Sequence, residues 1–124
     1  MTTTKMIAAV LVRDKHQCVI ASSVCTGHAT LADHRANRGA GGSKVLDAFP
    51  VLIAACVLCN GFKEDADGYQ RAELVRRGVR VAKDSTNAKT LVRCRLVPVI
   101  YPDRVERWLT DDGRAIPTNQ VVPF

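Results

Sequence analysis

The run Val51-Leu52-Ile53-Ala54-Ala55-Cys56-Val57-Leu58-Cys59-Asn60-Gly61-Phe62 decides how this chain folds. It begins as an unbroken apolar stretch and ends in two thiols separated by two residues, with an asparagine directly behind them. Cys-x-x-Cys is the spacing of a metal knuckle. Upstream, Cys18 and Cys25 form a second pair with six residues between them, and thirty residues separate the two pairs. Zinc takes four soft ligands in a tetrahedron, and two turns presenting two thiolates each supply them. Cys18, Cys25, Cys56 and Cys59 are therefore expected to hold a structural Zn2+. A redox Cys-x-x-Cys, which wants a βαβ frame that is absent here, and buried unligated thiols stay open as other readings. His28 is an alternative to Cys25 as ligand, and Cys94, without a partner, reads as a small core residue.

Around the cysteines lie 124 residues, 47% hydrophobic, with a mean hydropathy of −0.02. That suits one soluble domain spanning 1–124, with a core at about 13–66 and a basic C-terminal extension over 67–124. Three Phe, two Tyr and one Trp give it few aromatics to bury, so a metal staple would carry much of its stability. The longest uncharged apolar run, Phe49 to Cys59, falls short of the ~20 residues that cross a bilayer, so no membrane is expected as partner. Met6 to Val12 is followed at once by Arg13, Asp14 and Lys15, which does not read as a signal peptide. A cytoplasmic protein with reduced thiols is expected.

Along the chain, residues 4–13 read as a helix with Thr4 as its cap, although the apolar run there also suits a strand. Cys18 to His34, rich in β-branched residues around Gly27, suits a knuckle followed by a strand. Asn37 to Ser43 reads as a glycine-rich basic loop. Cys56 to Asn60 should open a short helix that ends at Asp65-Ala66-Asp67-Gly68. A second helix fits Tyr69 to Arg77, with Leu74 and Val75 inward and Gly78 as its left-handed stop. Leu91 to Tyr101, interrupted by Pro98, reads as an edge strand. Arg104 to Leu109, the Asp112-Gly113 turn and Arg114 to Ile116 read as a closing hairpin.

The net charge of +6 is confined to one stripe. Residues 71–95 carry eight basic side chains (Arg71, Arg76, Arg77, Arg80, Lys83, Lys89, Arg93, Arg95) against Glu73 and Asp84, while the remainder balances at ten against ten. Such a stripe is the footprint of a polyanion binder, and a solvated face is its plain alternative. Arg35 and Arg38 flank the pair Asp33-His34 and are expected to grip phosphate, together with Arg76, Arg77 and Arg80.

Asp33-His34-Arg35, then Asn37-Arg38-Gly39-Ala40-Gly41-Gly42, then Cys56-Val57-Leu58-Cys59-Asn60-Gly61, all bracketed by cysteine pairs, resembles the HNH endonucleases of the His-Me finger group. The resemblance covers roughly Arg13 to Glu64. It is closest to the small zinc-stapled proteins of bacteriophages, including the endonuclease VII type in which an asparagine follows the last zinc cysteine. The resemblance implies an α+β fold: a ββα-metal core with a C-terminal helix and β-hairpin extension. It also implies catalytic roles for His34, Asp33 and Asn60, with His34 as general base and Asp33 and Asn60 holding Mg2+ or Mn2+, separate from the structural zinc. Neutral imidazole can accept a proton from water near neutral pH, and carboxylate and amide oxygens suit a hard cation. Glu64, one turn past Asn60, reads as half of a surface ion pair or as an extra ligand. One departure stands out: where the family carries a middle asparagine that braces the histidine, this chain has Val51.

The function so implied is metal-dependent hydrolysis of DNA phosphodiester bonds in a bacterial host cell, alongside a phage terminase. A non-catalytic zinc module that binds DNA, and a resolvase of branched DNA, are the alternatives.

Overall fold

Thr3 caps the first helix by accepting the Met6 N–H on its Oγ1, and α1 follows over Thr4–Arg13. The structure is a computed structural model describing residues 3–37 and 44–120. The helix expected over 4–13 is therefore present, its cap one residue earlier than Thr4. Val10 is its fully buried contact, with Met6 and Leu11 packed beside it.

β1 (Leu31–His34) pairs antiparallel with β2 (Leu52–Ala55), setting Leu31 opposite Ala55 and His34 opposite Leu52. All four residues of β2 are buried, which is why the sequence there is continuously apolar and does not alternate. α2 (Val57–Asp65) follows at once, with Cys56 as its N-cap. The order of elements from residue 31 to 65 is thus strand, strand, helix, and the helix ends at the acidic cluster as expected.

α3 (Gly68–Arg76) comes next, then α4 (Asn87–Leu96), capped by Thr86, whose Oγ1 accepts the Lys89 N–H. A three-stranded antiparallel sheet closes the chain, β3 (Val99–Ile100), β4 (Glu106–Leu109) and β5 (Ala115–Pro117), with β4 in the middle. The closing hairpin is present as expected. The edge strand expected over 91–101 is corrected: residues 91–96 are the end of α4, because Thr86 caps a ten-residue helix that runs through them and Pro98 falls just past its last turn. Only Val99 and Ile100 are strand. Val75, expected inward, is 44% exposed; α3 buries Leu74 alone, being a short helix laid on the surface.

One core cluster joins Val10, Val19, Ile20, β2, Leu74, Val79, Val99, Tyr101 and Leu109, so the basic extension packs into the same interior as the cysteine region. Asp14 ties three elements there. Arg13 donates to both its oxygens, the Ala54 N–H donates to Oδ2 at 3.0 Å, and the Tyr101 hydroxyl donates to Oδ1 at 2.5 Å. Burial, and then the Asp14 charge, push the Tyr101 hydroxyl far above its usual range, so it stays an O–H donor.

Gly78 is where α3 stops, at φ +73. A Cβ placed there would lie 2.0 Å from the Pro98 carbonyl oxygen. Left-handed backbone costs a side-chain-bearing residue about 1–2 kcal/mol, and this clash is with main chain that cannot swing away. Gly78→Ala is expected to cost more than that backbone term alone, read as a lower urea midpoint; a midpoint equal to wild type would refute the packing described.

Candidate functional site

Two turns bring the thiols together. In the first, the Cys18 N–H donates to Gly27 O and the Cys25 N–H to Ser22 O, while Gly27, at φ +84, turns its own N–H onto Cys25 Sγ at 3.2 Å. In the second, Cys56 caps α2 and its Sγ accepts the Cys59 N–H at 3.3 Å. Ser22 joins the turns through its N–H and hydroxyl, 3.4 and 3.1 Å from Cys59 Sγ. Strand-like bonds from Val19 N–H to Ala54 O and Thr30 N–H to Ala55 O hold the first turn alongside β2.

The four Sγ atoms lie within 4.8 Å of one another, near the roughly 3.8 Å edge of a tetrahedron of thiolates each about 2.3 Å from zinc. Cys18, Cys25, Cys56 and Cys59 therefore form a cluster that could hold a metal ion such as zinc. Burial pushes the Cys18, Cys25 and Cys59 thiols up. Burial also disfavours the Cys56 thiolate, but hydrogen bonds from Thr26 and Cys59 outweigh it and bring Cys56 to about 6. Three of the four ligand atoms thus prefer to keep their protons until a cation compensates the gathered charge. His28 lies outside the cluster, its ring stacked on His16 at 6.4 Å, and Cys94 is buried elsewhere with Ala36, Leu46, Val51 and Val81.

Asp33 and His34 part to opposite sides, as strand alternation requires. Asp33 Oδ2 meets the Lys63 ammonium at 2.7 Å, and the same ammonium donates to the His34 carbonyl at 2.5 Å. Burial, the larger effect, raises the Asp33 carboxyl, and Lys63 opposes it. His34 Nε2 lies 2.8 Å from Asp47 Oδ1, both side chains largely buried. Asn60 sits half-buried in the first turn of α2, and among the described residues no hydrogen bond joins its amide to Asp33. Val51, the position of the missing asparagine, is wholly buried core. Nothing in the sequence around Asp47 or Lys63 marks either as a partner of the Asp33-His34 pair, and both contacts went unforeseen.

A cleft of about 470 Å³ opens beside His34, lined by Lys63, Arg71, Arg80 and Lys83 as well as Arg35, with Glu64 the one carboxylate among the described lining residues. The expected phosphate-gripping arginines divide. Arg35 is corrected to a structural role: it is 1% exposed and donates to the carbonyls of Gly78, Pro50, Cys94 and Val97. Burial pulls its guanidinium down to about 10, still charged at neutral pH. Arg77 is corrected likewise, its fork donating to Val19, Ile20 and Ile100 carbonyls, which clamps the first cysteine turn against β3. Arg76 is exposed and paired with Glu73, away from the cleft lining. Arg80 lines the cleft and donates to Lys63 O. Arg38 and the loop glycines at 39, 41 and 42 lie outside the described residues.

No helix among the described residues is long and apolar enough to cross a membrane. No protein-family model, curated protein or solved structure matches the chain.

Proposed function

We propose that this chain is a zinc-stapled endonuclease of the HNH kind that hydrolyses phosphodiester bonds of DNA in the cleft beside His34. The carrying observation is the His34–Asp47 hydrogen bond of 2.8 Å at the wall of a cleft whose other polar lining is mostly cationic. An ionised carboxylate only accepts, so the ring nitrogen facing Asp47 bears the hydrogen. Nδ1 is then the basic nitrogen, and Asp47 fixes the ring's tautomer and aim, as carboxylates do for catalytic histidines elsewhere.

In this reading the His34 imidazole takes a proton from a water as its oxygen attacks phosphorus. The bond to the 3′ oxygen breaks on the opposite side, or the 5′ oxygen if the strand sits the other way; the resemblance favours 5′ phosphate and 3′ hydroxyl products. The leaving oxygen is protonated from solvent. Arg71, Arg80 and Lys83 supply phosphate contacts and hold the backbone within reach. The tetrathiol cluster suits zinc, whose part is to fix the strand and helix that frame the cleft.

The Mg2+ or Mn2+ that the resemblance implies does not fit the residues as they stand. Asp33 Oδ2 already carries the Lys63 ammonium, and Asn60 does not line the cleft.

Nicking of supercoiled plasmid tests the reading. His34→Ala should keep zinc and fold but lose about 10²–10⁴-fold in rate, the usual worth of a general base. Asp47→Ala should lower kcat with little change in KM, and Asp47→Asn should recover part of it where the amide oxygen accepts the Nε2 hydrogen, keeping the tautomer without the charge. Equal cutting by wild type and His34→Ala sinks the assignment. The neutralised Asp33 favours a second reading, a non-catalytic zinc module that binds DNA. It predicts a log-log salt slope of about −0.9 per phosphate contacted and no cleavage under any condition.

A further inference from the structure

α2 starts at the second cysteine turn and delivers Lys63, two turns later, onto β1. The ammonium is 2.7 Å from Asp33 Oδ2 and 2.5 Å from His34 O, and both side chains of the ion pair are nearly shut off from solvent, 5% and 10% exposed. Two of its three donors are thus spent on the Asp33-His34 dipeptide. A hard dication needs charged oxygens in an open, near-octahedral arrangement and gives up its water reluctantly. Here the carboxylate is already paired with the Lys63 ammonium, which itself lines the cleft beside His34 together with Arg71, Arg80 and Lys83, and Glu64 is the one carboxylate among the described lining residues. The field of that cavity favours an anion and repels a cation.

We infer that Lys63 is the resident cation of the Asp33 site, excluding a divalent ion from it, and that the cleft receives an anionic phosphate group on side-chain cations alone. The ammonium lies where positive charge beside His34 is wanted, and it is built into the chain instead of recruited. Lys63 therefore acts as a positioning residue for β1 and as a buried positive charge in the lining of the cleft.

Mn2+ uptake by the zinc-loaded full chain, followed by electron paramagnetic resonance and calorimetry, decides this whether or not the chain is a nuclease. Wild type and Lys63→Arg are expected to take up no Mn2+ that depends on Asp33. Lys63→Met should gain at least about tenfold in Mn2+ affinity once the like charge is gone, and adding Asp33→Asn should abolish the gain. Mn2+ bound by wild type and lost in Asp33→Asn overturns the inference, as does a folded Lys63→Met that gains nothing. Should Lys63→Met not fold, the comparison of wild type with Asp33→Asn decides alone.

A second measurement rests on the nuclease reading. Plasmid nicking by the zinc-loaded protein should proceed in buffer stripped of Mg2+ and Mn2+, and a strict requirement for either overturns the inference. Absence of nicking both with and without them counts against the nuclease reading, leaving Lys63 to the Mn2+ result.

Discussion

With the proposed zinc staple, Cys59→Ser, or treatment with a chelator, is expected to abolish the cooperative unfolding transition of this protein. A metal in the cluster would tie the two turns together, and α2 begins inside it: Cys56 caps the helix and Cys59 lies in its first turn. Losing one thiolate leaves three that gather like charge without a full tetrahedron. Structural zinc contributes an apparent ~10–16 kcal/mol near neutral pH, against a total stability of about 5–15 kcal/mol for a domain. The expected difference therefore exceeds what the remaining core can offset, since that core is built mainly from valine, leucine, isoleucine and alanine, with Tyr101 the one buried aromatic among the described residues. Circular dichroism melts with and without zinc check it. Cys94→Ala, a thiol buried outside the cluster, is the control and should keep its cooperative melt. A Cys59→Ser protein that melts within a few degrees of wild type would remove zinc from the account.

Arg35→Met is expected to be the most damaging substitution away from the cysteines. It keeps the apolar stem and deletes a guanidinium that serves four carbonyls from three separate segments, Pro50, Gly78, and Cys94 with Val97. Each buried acceptor left without a donor costs about 1–3 kcal/mol. Relaxation and entering water recover part of that, so a loss of at least about 3 kcal/mol is expected, read from urea unfolding with the slope unchanged. Arg35→Lys should rescue little, because one ammonium cannot reproduce the planar fork. A loss under about 1 kcal/mol would show that those carbonyls find other donors.

The fate of the arginines explains where reading the sequence stops. Eight basic residues in 71–95 and Arg35 beside a histidine look alike as letters, and all suggest phosphate contacts. In the fold, Arg35 and Arg77 are absorbed by backbone carbonyls that sit as much as 62 and 58 residues away, whereas Arg71, Arg80 and Lys83 face the cleft. Guanidinium chemistry is the same in each case, and which acceptors surround it is a matter of tertiary position. The same holds for Leu91 to Leu96, whose β-branched and apolar content reads as strand until Thr86 is recognised as a helix cap.

By itself, the sequence determined what depends on neighbours in the chain. The two cysteine spacings predict two turns and one tetrathiol cluster, and the four thiols do gather within 4.8 Å. The acidic stop after α2, the left-handed Gly78 and the hairpin at Asp112-Gly113 are local signals of the same kind. Only the tertiary structure decided the partners of Asp33 and His34. Strand alternation turns these adjacent side chains to opposite faces, and what each meets there, Lys63 thirty residues on or Asp47 thirteen residues on, is set by how α2 and the segment before β2 pack against β1. Charge neutralisation at Asp33 is therefore a property of packing that the Asp33-His34 dipeptide by itself does not carry.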